Sequence, residues 1–246
     1  MTAHEHTADA VRAVKGTQPD GRRTRRWIRK RDFEQFCELM AERWFRRLAR
    51  GDERHAYFSA AYSFYITPGG RTGGNDRRRF DVFYGNRPVD QIIEPTPSEI
   101  GLPVSRVRLL VESGAALSYH RTERGTVLCM LSPARSEGFT PKETMLVLQH
   151  YRSPRSLQAP SVAASHWRAL MSYFECTALD GDPQLADHLR VWWLRFTRPL
   201  VIDGVAQTPE VLTRLRQIVV WSLTVGLSGA ILFAIQWLIG APPARS

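Results

Sequence analysis

Residues 218–240 read IVVWSLTVGLSGAILFAIQWLIG, a run of 23 residues without a single charge. As a helix rising 1.5 Å per residue it covers roughly 33 Å, enough for a hydrocarbon core of about 30 Å. Twelve of these residues are Leu, Ile, Val or Phe, and together they favour insertion by about 4–7 kcal/mol. Trp221 and Trp237 stand near the two ends, where interfacial aromatics belong. A core helix rarely needs so long an uncharged stretch, so the run is predicted to span a membrane.

The flanks suggest an orientation. Arg198, Arg214 and Arg216 precede the run and Arg245 follows it. The excess of cations on the near side places the preceding domain in the cytoplasm and residues 241–246 outside, at an inner (plasma) membrane of a bacterium. The opening residues, MTAHEHTADAVRAVKG, lack the apolar stretch of a signal peptide. The expected layout is a tail-anchored, single-pass protein. Thr208-Pro209-Glu210 has the residue types of a helix start, with a Thr cap, Pro at the first helical position and an early acid. One helix is therefore expected over 209–240, joined to the domain by a short linker at 201–208. Within the run, Ser222, Gly226, Ala230 and Ala234 recur every fourth residue. Such a stripe of small side chains lets two membrane helices approach closely, which makes homo-oligomerisation an expected partnership.

The rest of the chain is basic, with a net charge of +10. Residues 21–50 hold eleven Lys/Arg against four acids. Trp27, Phe33, Phe36, Met40, Trp44 and Leu48 are spaced as one face of an amphipathic helix. Its charges form either a solvated face or, over Arg22–Arg31, a contact with anionic lipid. Nucleic acid is a weaker expectation, since no binding motif accompanies the charge. Residues 1–21 are expected to form a disordered tail.

Between residues 22 and 200 the pattern predicts one α+β domain, with an antiparallel sheet between an N-terminal helix and a C-terminal helix pair. Residues 57–66 and 78–85 alternate as strands around a Gly-rich loop, TPGGRTGGNDR. Residues 86–104 carry Pro88, Pro95, Pro97 and Pro103 and read as an irregular connection. Strands follow at 107–111, 115–121 and 126–132, the last two forming a hairpin. Residues 145–148 are ambiguous between strand and helix, with strand favoured. Helices are expected at 161–177 and from Pro183 to about residue 197, the second capped by Asp182.

Chemistry is harder to read. Three cysteines without a CxxC pair exclude a disulfide scaffold and a zinc ribbon. No HExxH, P-loop, dinucleotide fingerprint or serine elbow is present. Neither metal nor cofactor is expected, the acids Glu175, Asp180 and Asp182 falling short of a calcium loop. Charged loops at strand ends often form ligand sites, which makes Arg135, Glu137 and His150 the candidate ligand-binding residues. His120 and His150 could meet across the sheet. Three functions fit: an anchored module that binds a ligand or partner at the inner membrane surface, an oligomerising effector that perturbs the bilayer, or a membrane-tethered hydrolase or transferase. Clustering of polar groups around Arg135, Glu137 and His150 favours the last of these; scattering counts against it.

Overall fold

The structure, a computed structural model of the 246-residue chain, describes residues 21–71, 77–97 and 103–209 together with Val211, Thr213 and Gln217. The fold is α+β. Seven antiparallel strands form the main sheet in the order β1-β2-β5-β6-β8-β9-β10, and three form a second sheet in the order β3-β4-β7. In chain order these are β1 (Phe64–Pro68), β2 (Arg79–Tyr84), β3 (Asn86–Pro97), β4 (Pro103–Ser113), β5 (Ala116–Arg121), β6 (Val127–Ser132), β7 (Arg135–Ser136), β8 (Met145–Tyr151), β9 (Leu200–Ile202) and β10 (Val205–Gln207). The helices are α1 (Gly21–Gln35), α2 (Glu42–Arg50), α3 (Glu53–Ala61), α4 (Pro160–Thr177) and α5 (Leu185–Thr197).

The core lies between one face of the main sheet and the helices. Val82, Leu117, Leu131 and Leu146 face one another across four adjacent strands, all fully buried. Rings from the helices close over them: Phe36 lies 5.4 Å from Tyr119, and Phe58 stacks on Phe174 at 3.9 Å. Each such ring adds buried area and about 0.5–1.5 kcal/mol of pair geometry.

The N-terminal helix is amphipathic, with a shifted face. Between α1 and α2 the chain makes a π turn, Phe36–Ala41, which inserts one extra residue into the helical register. Beyond it the buried positions are Ala41, Phe45 and Ala49, one residue later than the expected Met40, Trp44 and Leu48; Trp44 and Leu48 pack at the edge of the core and Met40 is half-buried. Trp27, expected on the apolar face, is 59% exposed.

Four further expectations need correction. The first half of 57–66 belongs to helix α3, and only 64–66 are strand. Asp52 caps this helix by accepting from the Arg54 N–H (3.1 Å), and Phe58 and Tyr62 are one helical turn apart, so the alternation there is apparent only. Asp52 also accepts from the Trp167 indole (2.9 Å). D52A is expected to cost about 1–2 kcal/mol in chemical denaturation, the usual range for losing a helix cap. Second, residues 86–97 and 103–104 are not irregular: β3 pairs with β4 from Asn86 to Pro97, interrupted by a bulge between Pro88 and Asp90. Three of the four prolines lie on β3, an edge strand of its sheet, with Pro88 beside a bulge, and Pro103 begins β4; these are the positions a sheet tolerates.

Third, 201–208 is not a linker but the β9–β10 hairpin, joined to the main sheet through β8. Asp203-Gly204 forms its two-residue turn, both with positive φ (50° and 78°), the conformation in which Asp-Gly is favoured. Fourth, α5 starts at Leu185 and is capped by Gln184, not Asp182; Gln184 and Asp187 form a reciprocal capping box. The strand expected at 145–148 is β8, and the hairpin at 115–132 is β5–β6.

Past β10, Val211, Thr213 and Gln217 are helical, and the Thr213 N–H donates to the Pro209 carbonyl (3.3 Å), consistent with a helix that begins after Thr208. Among the described residues no helix is long and apolar enough to cross a membrane. The 218–240 run, with Trp221, Trp237 and the Ser222, Gly226, Ala230 and Ala234 stripe, lies outside them, as do Arg214, Arg216 and residues 1–20 of the expected 1–21 tail, whose last residue, Gly21, opens α1.

Candidate functional site

The residues singled out from sequence are dispersed. The Arg135 guanidinium donates to the Thr144 carbonyl (2.5 Å), tying β7 to the start of β8. Glu137 pairs with Arg108 at 3.0 Å in an exposed position. His150 is exposed near the far end of β8, six residues or about 20 Å along the strand from Thr144. These residues do not share a site. His120 and His150 do not meet either: both lie opposite Leu128, on the two strands flanking β6, so about 10 Å separates their backbones.

The structure gathers other groups instead. A bulge at the β6–β8 pairing sends Gln149 and His150 outward and returns Tyr151 to the core face. There His166 of α4 sits between two phenols, with Nδ1 2.8 Å from Tyr119 Oη and Nε2 2.9 Å from Tyr151 Oη; Cys129 Sγ lies 3.6 Å from Nδ1. Tyr151 donates to Gln149 Oε1 (3.0 Å). That leaves its oxygen free to accept from Nε2–H, while Tyr119 donates to Nδ1, a tautomer assigned from the network. Burial, with Arg198 adding to it, lowers the His166 pKa to about 4, so the imidazole is neutral. Burial likewise raises the Cys129 thiol, so it is no thiolate nucleophile. Cys176, half-exposed and 4.0 Å from His188, is also raised, to about 11, by desolvation.

A second network lies on the outer side of α3. Glu112 on β4 is 1% exposed. Its carboxylate accepts from Tyr62 Oη (2.6 Å), from the Arg87 guanidinium (2.8 Å) and from the Leu179 N–H (2.8 Å). Arg87 lies over the Tyr62 ring and also pairs with Asp180. Nearby, Asp187 accepts from Ser172 Oγ (2.6 Å) and pairs with Arg54 (3.4 Å). Between these networks Tyr57 is 59% exposed, its hydroxyl donating to the Asp180 carbonyl (3.2 Å).

Tyr57 divides two open clefts. One, of about 400 Å³, is lined by Glu53, Arg54, Glu175, Asp182, Gln184 and Asp187 as well as Tyr57. The other, of about 280 Å³, runs along Phe58, Ala61, Tyr62, Arg87 and Asp180. The first is acidic, and desolvation raises the Glu175 pKa. Its wall is built by a tight approach: a Cβ at Gly181 would lie 2.0 Å from the Glu175 carbonyl oxygen. G181A is therefore expected to displace the α4–α5 turn and lower the melting temperature by several degrees, about 2 kcal/mol or more.

The basic helix face is exposed at Arg25, Arg26, Arg31, Arg43, Arg46, Arg47 and Arg50. Parts of it are spent on local pairs, Arg26 with Glu123 (3.2 Å) and Arg46 with Glu42 (2.7 Å). Among the described residues no three His, Cys, Asp or Glu side chains are grouped to hold a metal ion.

No protein-family model, no curated protein and no solved structure matches this chain.

Residues such as Tyr119, Cys129, Tyr151 and His166 could not be paired from sequence, because their meeting depends on strand register and on the β8 bulge. The available signal was a polar or titratable side chain on an otherwise apolar strand or helix face.

Proposed function

We propose that the chain is a membrane-anchored binding module: residues 218–240 span the inner membrane, and the α+β domain before them lies in the cytoplasm and binds a ligand or partner there. The uncharged 23-residue run carries this reading. The helical Val211, Thr213 and Gln217 support it, since a helix leading into the run is what such an anchor requires. Binding is favoured over catalysis because the scattered Arg135, Glu137 and His150 assemble no reactive set. In addition, the buried His166, Glu112 and Asp187 spend their hydrogen bonds on structural partners. The acidic cleft beside Tyr57, whose size lies within the range of ligand sites, supports the binding of a small ligand or peptide.

Bacterial envelopes washed with alkaline carbonate test the anchor. The full chain is expected to stay with the membrane and a chain ending at residue 217 to be released; release of the full chain would overturn the reading. Self-association through Ser222, Gly226, Ala230 and Ala234 belongs to the same proposal. G226L/A230L is expected to abolish dimers cross-linked in membranes, and undiminished cross-linking counts against that face.

A further inference from the structure

Helix α5 turns a row of large apolar side chains away from the domain. Leu185 is 75% exposed, Leu189 58%, Trp192 59% and Trp193 57%. Phe196 continues the row, its ring parallel to Trp192 at 5.4 Å. Their spacing puts all five on one helical face, while Val191 and Leu194 face inward. Two bared indoles and two bared leucines on one helical face mark an interaction surface.

The chemistry of the face selects its partner. Trp is the residue of the membrane–water boundary, with an apolar body and one N–H for the headgroups. Asp187, the one acid of α5, is buried in its bond with Ser172, so no carboxylate lies on the outward face. Arg190 and Arg195 border it, each paired with a carboxylate of the domain (Asp187 at 3.8 Å, Glu143 at 2.5 Å), and their partly exposed guanidiniums give the rim a basic edge suited to an anionic leaflet. Reach agrees. Only Arg198 and Pro199 separate α5 from β9, and about ten residues separate β10 from the start of the uncharged run. As a helix those ten span roughly 15 Å, so the α5 end of the domain cannot stray far from the bilayer.

We propose that the outward face of α5 lies in the headgroup zone of the same bilayer that holds residues 218–240, so that the domain is seated on the membrane and not swung from it. The proposal rests on the anchored reading above and adds a second point of contact.

The test uses the full chain with L189C carrying an environment-sensitive nitrobenzoxadiazole label, in a C176S background because Cys37 and Cys129 are buried. The protein is reconstituted into phosphatidylcholine–phosphatidylglycerol vesicles made with ordinary or brominated acyl chains. Flotation in alkaline carbonate is measured on the same samples. Blue-shifted emission that falls about twofold in brominated lipid is expected, because interfacial helices bury their apolar face about 5–10 Å deep. W192S/W193S should return the emission toward that of water. A floating, carbonate-resistant protein with water-like emission overturns the seating and leaves the anchor standing. A blue shift that bromine does not quench means that protein covers the face, and it also overturns the seating. Loss of flotation overturns the anchor and the seating together.

Discussion

E112A is expected to be the most damaging single substitution in the domain, lowering unfolding free energy by about 3–5 kcal/mol. Glu112 is the point at which four segments converge: its own strand β4, Arg87 on β3, Tyr62 at the end of α3, and the Leu179 N–H in the α4–α5 turn. Removing the carboxylate leaves the Arg87 guanidinium, which is 11% exposed, with only the exposed Asp180 as counter-charge and its inner N–H groups unpaired. Tyr62 and Leu179 lose their acceptor at the same time. The Tyr62 phenol, raised by burial and then by the Glu112 charge, remains a proton donor throughout the working pH range. Urea unfolding followed by near-ultraviolet circular dichroism measures the loss. E112A/R87L should recover part of it, since it is the abandoned charge, more than the missing pair, that costs stability. A double variant no better than E112A would assign the loss to Tyr62 and Leu179.

The second large effect is a dependence on acidity. His166 has a pKa of about 4 in the folded chain, lowered by burial from an ordinary value near 6.5. The unfolded chain therefore binds the proton more readily. The stabilising contribution is complete above about pH 6.5 and is lost as the pH falls toward 4, amounting to about 3 kcal/mol across that window. His55, also pulled down by burial, acts in the same direction. H166F isolates the first contribution. At neutral pH it should cost about 1–3 kcal/mol, because the Tyr119 hydroxyl loses its acceptor. Between pH 6.5 and 4.5 its stability should change less steeply than that of the parent protein. Equal slopes in denaturation titrations would show that His166 is not the group responsible.

Where the chain obeys one local rule at a time, the sequence reveals the fold. The β5–β6 hairpin, helix α4 and the two helical ends of an antiparallel domain follow from period and turn chemistry. Misreadings occur where two rules compete. In the N-terminal helix the π turn changes the period partway along, so a constant 3.6-residue count selects Met40, Trp44 and Leu48 in place of Ala41, Phe45 and Ala49. In 86–104, prolines that usually end a strand are tolerated because β3 lies at an edge. At 200–207 the Asp203-Gly204 signal was available, flanked by short apolar runs; each strand is only three residues long, so composition resembles a linker. The Glu112, His166 and Asp187 networks join residues remote in sequence, and only the register of the sheets brings them together.

The β9–β10 hairpin has a mechanical consequence. Its outer strand, β10, is the edge strand of the main sheet and the last strand in the chain order of the described residues. Any tension entering from residue 208 onward acts first on three residue pairs between β10 and β9, and then on two between β9 and β8. Antiparallel ladders loaded at one end open pair by pair, so the hairpin would peel away before force reached the aromatic interior. Those few bonds would act as a yielding joint: under strain the exit strand lengthens while the body of the domain keeps its shape.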